Sequence, residues 1–231
     1  MGSPTVRLPL FPLGLVLFPG MLLPLHVFED RYRRLVRDLL TRPPDDRELG
    51  VVAIRDGHEV GTDAVRALHG TGCLARLRRV EPYDDGRFDI VTRGVRPFRT
   101  MRLVEGAPYL QADVELLDDR DGTRDGDDTD GVTGASAARG LASSVAAAFD
   151  TYRTTLGGPH TELGDDAAAL GHLVAATMVL DLTEKQQLLE APGTAARLAL
   201  ELALLRRESA FLDQLPSLPA VELTRVPASP N

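Results

Sequence analysis

LPLFPLGLVLFPGMLLPLHVFEDRYRRLV, residues 8–36, is apolar for most of its length yet cannot form one helix. Pro9, Pro12, Pro19 and Pro24 each lack a backbone N–H, and a helix interior needs that donor. Short strands joined by turns are the better reading, with a turn at Pro19-Gly20. The pattern changes at Glu29. Tyr32, Leu35, Val36, Leu39 and Leu40 recur at helical spacing, with arginines elsewhere on the helix, so a helix is expected over 29–40. Pro43-Pro44 stops it. Residues 49–55, LGVVAIR, read as a buried strand.

Working outward, residues 72–117 read as all-β. GCLARLRRVEP leads into Asp84-Asp85-Gly86 and RFDIVTRG leads out, a hairpin signal. Strands around 95–104 and 109–117 follow. Leu74, Leu77 and Val80 do not keep one alternation, which leaves the register open there. One helix with five or six closely spaced strands suggests a small, partly closed β-barrel. Residues 118–135, DDRDGTRDGDDTDGVTGA, are rich in Asp and Gly and read as a linker. The class then changes. Leu141, Val145, Phe149 and Tyr152 mark one helix; Leu170, Leu173, Val174 and Thr177 mark another. Thr183-Glu184-Lys185-Gln186 fits a capping box for a helix over 184–190. Thr194 is expected to cap a long helix over 195–214. The expected organisation is a β-barrel lobe over 1–117, a linker over 118–135, a helical lobe over 136–214 and a proline-rich tail over 215–231.

The 231 residues are 43% hydrophobic and carry a formal net charge of −8. Residues 1–117 hold 17 Arg against 16 acids, and residues 118–231 hold 9 Lys plus Arg against 18. The sign argues against general nucleic-acid affinity, since phosphate binding needs local positive charge. One cysteine, Cys73, excludes an intramolecular disulfide and a multi-cysteine zinc site. The longest apolar runs fall short of the roughly 20 residues of a membrane span. Together with the lack of a signal-type cleavage pattern, this sets the expectation of a cytoplasmic protein with no membrane partner.

The opening stretch resembles the leading motif of the Lon protease N-terminal, substrate-binding domain family. The resemblance lies in Pro9-Leu10-Phe11-Pro12-Leu13, Leu17-Phe18-Pro19-Gly20, Pro24-Leu25-His26-Val27-Phe28-Glu29 and Arg31-Tyr32-Arg33. Thr71-Gly72-Cys73-Leu74-Ala75, Asp85-Gly86-Arg87, Pro108-Tyr109-Leu110-Gln111-Ala112 and Glu184-Lys185-Gln186-Gln187-Leu188-Leu189 are similar to later family segments. The resemblance implies an α+β fold, in which a PUA-like small β-barrel precedes an all-α helical bundle. It also implies a domain that helps select unfolded or tagged protein segments, with a protease or chaperone as a further partner. The residues it singles out, as structural or binding positions, are Pro9, Phe11, Pro12, Phe18, Pro19, Gly20, Pro24, His26, Phe28, Glu29, Arg31 and Tyr32. Phe11, Phe18 and Phe28 are expected to be buried, and Glu29 to cap the helix start.

No catalytic machinery is legible. Lon-type peptidases use a Ser–Lys dyad, but Lys185 is the chain's single lysine and sits in a short polar helix. No G-x-x-x-x-G-K-[ST] run is present, so no ATP site is expected. His58, His69 and Cys73 fit no metal-ligand spacing, and the Asp-rich stretch fails the calcium-loop register. No cofactor and no metal are expected. The rival reading is an RNA-binding PUA-like module using Arg76, Arg78, Arg96 and Arg99. It needs aromatic side chains to stack bases, and of Tyr83, Phe88, Phe98 and Tyr109 half or more are expected in the core. The preferred reading is a non-catalytic protein- or peptide-recognition module, an adaptor in protein quality control, with a ligand groove between barrel and bundle.

Overall fold

The computed structural model describes residues 5–57, 65–104, 106, 108–117, 128–160 and 163–214, and side-chain placements are described for all but 57, 65–66, 128–137 and 213–214 of these. Among the described residues, six strands and five α-helices follow in chain order. They are β1 (Thr5–Leu13), β2 (Leu22–Val27), α1 (Asp30–Leu40), β3 (Glu48–Gly57), β4 (Val65–Pro82), β5 (Phe88–Val104), β6 (Gln111–Leu116), α2 (Asp128–Thr155), α3 (Ala167–Thr177), α4 (Leu182–Glu190) and α5 (Thr194–Gln214). A 3₁₀ turn at Pro44–Asp46 links α1 to β3. The fold class is α+β.

The strands pair in the order β2-β5-β4-β3-β1-β6, and β5 also pairs β6. The pairings therefore close a circuit through β1, β3, β4, β5 and β6, with β2 added outside it. The length of β5 makes this possible. Its first half pairs β2, from Phe88↔Val27 to Arg93↔Leu22, and its second half pairs β6, from Phe98↔Leu116 to Val104↔Gln111. β1 also changes partner, pairing β6 antiparallel through Pro9 and β3 in parallel from Leu10. Pro12 and Pro24 lie on stretches paired on one side only, where a residue without an N–H is tolerated.

The open register at Leu74–Val80 has a physical cause. The β4–β5 ladder shifts between Leu74 and Ala75 and again between Leu77 and Arg79. The first shift leaves Val95 unpaired on β5, and Leu74 faces the opposite cluster to Ala75 and Leu77. The second leaves Arg78 unpaired on β4, which brings Leu77 and Val80, three residues apart, to the same cluster.

Two aliphatic clusters fill the β-rich part. One joins Phe11, Leu35, Leu39, Val51 and Ile90 beneath α1; the other joins Leu8, Leu10, Phe98 and Val114. Val145, Phe149, Leu170, Val174, Leu198 and Leu205 form a separate helical core. A fourth cluster spans the two parts. Val16, Phe18 and Ala53 pack there against Ala175, Leu188 and Leu189.

Three local expectations are corrected. Helix α2 begins at Asp128, so 128–135 is helix where a linker was expected; 118–127 lies outside the described residues. The capping box at Thr183 does not form. Asp181 is the N-cap of α4, and its carboxylate accepts from the Glu184 N–H at 2.8 Å. Gln186 reaches away from the helix start. Its Nε2 donates to the Thr71 carbonyl on β4 at 2.9 Å and to Glu190 at 2.7 Å. Thr194 is the first residue of α5 rather than a residue before it.

Candidate functional site

The opening motif divides between two hollows. Phe11, Pro12, Pro24, His26, Phe28, Glu29 and Tyr32 line a cavity of about 220 Å³ between the end of β1 and the edge of β2. Its floor is a stack of Phe11 on Tyr32, with centroids 4.1 Å apart and planes 17° off parallel. Arg31 lies over the Tyr32 ring at 4.6 Å and pairs with Glu29 at 2.9 Å. Glu29 stands at the N-cap of α1, as expected, but its side chain makes no capping hydrogen bond. The residue that fastens α1 is Arg33, which stands in the motif but was not singled out. Its guanidinium donates to the Gly86 carbonyl at 2.8 Å and the Asp85 carbonyl at 2.9 Å, so the helix grips the β4–β5 hairpin. Gly86 has φ 81°, and a Cβ there would collide with Arg33. No other residue type meets both conditions without strain.

Phe28 is a correction. Its ring is 48% exposed, whereas Phe11 is 6% and Phe18 0% exposed. Along β2 the side chains alternate, and Leu22, Pro24, His26 and Phe28 take the outward face. Phe28 thus joins a surface group in which the His26 ring lies 6.2 Å from that of Phe28 and 5.9 Å from that of Tyr83. The Asp89 carboxylate bonds His26 Nδ1 at 2.6 Å and accepts from the Tyr83 hydroxyl at 2.5 Å. Hydrogen bonds from Tyr83 and His26 hold the Asp89 carboxyl below its ordinary range, and the same carboxylate raises the Tyr83 phenol.

Pro19 and Gly20 lie on the second hollow, a groove of about 380 Å³ between the sheet and α3. Met21, Val95, Arg96 and Pro97 complete the sheet side, and Ala169, His172 and Leu173 form the helix side. The surface is mainly apolar. Beneath it, Phe18 packs its ring 6.3 Å from that of His172. The Phe18 carbonyl lies so close to Gly94 that a Cβ there would strike it. Only a glycine on β5 lets the loop settle this low, and so shapes the groove floor. Val95 and Leu173 keep exposed apolar surface at its mouth. Leu173 was assigned to the apolar face of its helix, but spacing cannot say which apolar residue lines a groove.

Pro9 belongs to neither hollow; it pairs with Gln111 in the β1–β6 ladder. The four arginines of the RNA reading do not form a free basic face. Arg76 is held by Glu48 at 2.7 Å and Arg99 by Glu115 at 3.3 Å, while Arg96 lies on the groove wall. Arg78 is exposed. Of the four aromatics near them, Phe88, Phe98 and Tyr109 are buried and Tyr83 is exposed.

The other singled-out groups have structural partners. Lys185 Nζ donates to the Ala176 carbonyl at 3.1 Å, tying α4 to the end of α3, and partial burial lowers its ammonium pKa. Cys73 is buried, and its thiol is pushed up to about 12 by desolvation. A thiol so raised stays protonated and behaves as a core side chain. Among the described residues, no group of three or more His, Cys, Asp or Glu could hold a metal, and no helix is long and apolar enough to cross a membrane.

Comparison with known proteins agrees with this geometry. A family model described as the ATP-dependent protease La (LON) substrate-binding domain matches residues 7–207. The chain is 32% identical over 209 residues to a Lon protease of Anaeromyxobacter dehalogenans and 30% identical over 210 residues to Lon protease 2 of Myxococcus xanthus. Each match covers 89% of this chain but 24% of the relative, so the chain spans about a quarter of their length. Among solved structures, a Lon N-terminal domain protein from Xanthomonas campestris superposes with a TM-score of 0.59 at 28% identity, covering 86% of this chain and 98% of that one. The N-terminal domain of a Mycobacterium avium complex Lon protease shares the fold, with a TM-score of 0.62 at 16% identity over 91% and 100% of the two chains. With the family model spanning both hollows and the helices that wall the second, the chain belongs to the Lon substrate-binding domain family.

Proposed function

We propose that the chain is a non-catalytic recognition module that captures unfolded or tagged protein segments in the groove between sheet and helices. The observation carrying this reading is the groove itself, a mainly apolar hollow of about 380 Å³ with Val95 and Leu173 exposed at its mouth. Exposed apolar surface of this kind marks a binding site more often than a chance patch. In this reading the closed strand circuit is a PUA-like barrel, residues 136–214 work as a helical lobe, and the module acts as a cytoplasmic adaptor beside a protease or chaperone.

The test is titration of the full chain with a reduced, permanently unfolded polypeptide. Apolar capture rests on buried area and should tolerate salt. Leu173→Asp should weaken binding by about tenfold, roughly 1.4 kcal/mol. An RNA oligonucleotide serves as the contrast. Binding through several phosphates falls steeply, by ~10³-fold or more, between low and physiological salt. Tight RNA binding at physiological salt, abolished by Arg76→Glu with Arg78→Glu, would overturn the proposal. Peptide hydrolysis lost on Lys185→Ala would overturn its non-catalytic part.

A further inference from the structure

The groove continues past its own wall. Met21 lines it and leads directly into Leu22, and Val95 lines it two residues after Arg93. Arg93 and Val95 are both exposed, with Gly94 buried between them, so both side chains lie on the outer face of β5. Across the sheet, Arg93 stands opposite Leu22 on β2 and Arg76 on β4. Cross-strand partners share a face. The strip leading out of the groove therefore holds exposed Leu22, Arg93 and, one position on, the pair Pro24 and Val91.

The charges on this strip are not balanced. Like charges directly opposite each other across a ladder are unfavourable. Arg76 is compensated by Glu48 at 2.7 Å. Arg93 has no carboxylate partner among the described residues. Arg93 thus stands on an apolar strip, beside Arg76, at the end of an apolar groove whose wall also carries Arg96. A ligand that places a carboxylate there gains an ion pair and relieves the Arg–Arg opposition. A ligand that places an ammonium there adds a further positive charge beside Arg93.

We propose that the groove prefers an extended apolar segment of a client polypeptide with an acidic residue beside its apolar anchor, and that Arg93 reads that charge. This rests on the groove being the capture site, and deepens it from apolar capture to a sequence preference.

Three synthetic peptides test it, sharing one Leu- and Phe-rich core and flanked by Glu, Gln or Lys. They are titrated by fluorescence anisotropy against the full chain, Arg93→Gln, Arg93→Glu and Leu173→Asp. The Glu-flanked peptide should bind about threefold more tightly than the Gln-flanked one at low salt, the scale of an exposed ion pair, with the Lys-flanked peptide weakest. The spread should shrink as salt rises. Arg93→Gln should erase the order, and Arg93→Glu should reverse it. Because Arg93 is exposed, both variants should keep the wild-type denaturation midpoint. Leu173→Asp should weaken all three peptides and keep their order. Equal affinities, or an order that survives Arg93→Glu, overturns the charge preference and leaves the groove standing. Peptide binding that Leu173→Asp does not weaken, or a signal that comes only from self-association of the chain, overturns the groove and the preference together.

Discussion

Phe18 and Phe28 are the same residue type within one motif, yet they have opposite fates. Phe18 sits on the loop between β1 and β2, 0% exposed, in the cluster that joins sheet and helices. Phe28 follows β2 on its outward face and is 48% exposed. Truncating a buried aromatic removes transfer energy and leaves a cavity, so Phe18→Ala should cost ~3–5 kcal/mol in urea denaturation. Phe28→Ala should cost about 0.5 kcal/mol or less, as surface changes usually do. Equal losses at the two sites would overturn the assignment of Phe28 to the surface. Residue type and motif spacing made both rings look like core. Strand parity decides between them, and parity depends on where β2 starts.

At the scale of an element, helix α4 shows how a strong local pattern can be bypassed. Thr183 through Gln186 satisfies the spacing of a capping box, but Asp181 lies two residues earlier and supplies the cap. Beginning at Leu182 adds two residues, about half a turn, to the helix that carries Leu188 and Leu189 into the shared core. It also frees Gln186 to reach Thr71 on β4, a contact across 115 positions of the chain. Losing an N-cap carboxylate costs about 0.5–2 kcal/mol. Asp181→Ala should lower stability by that amount, and Thr183→Ala should be near neutral. Chemical denaturation of the two variants checks the assignment, and the reverse order would restore the capping box. The long strands β4 and β5 follow a similar logic. Their shifts in register look like broken alternation in sequence, and the physical event is a bulge.

For the whole molecule, the decisive feature is the core shared by sheet and helices. Phe18 enters from the sheet side and Leu188 from α4, both 0% exposed, and the Gln186–Thr71 hydrogen bond lies beside them. An interface this buried couples the two parts. Unfolding should therefore be a single transition, with helical circular dichroism and β-strand amide protection lost at one denaturant concentration. Leu188→Ala should cost ~2–5 kcal/mol and move both signals together. Separate midpoints would show that the two parts fold as independent domains.

Much of this architecture was legible in residues 8–36 alone. Prolines that forbid a helix, a helical period beginning at Tyr32 and the turn at Pro19-Gly20 are local signals, because backbone sterics and missing N–H groups act within a few residues. The spacing of the same residues also carried the family resemblance. The groove was legible as an expectation of place, between barrel and bundle, but not as a set of residues. Val95, Leu173 and Arg93 have nothing in their neighbourhoods to distinguish them from other strand or helix positions. Their roles come from contacts made at long range: the register of β5 against β2 and β4, the approach of the Phe18 carbonyl to Gly94, and the packing of α3 over both. Which hydrophobic side chain is core and which is groove depends on what the fold brings opposite it, and periodicity in one segment contains no information about that partner.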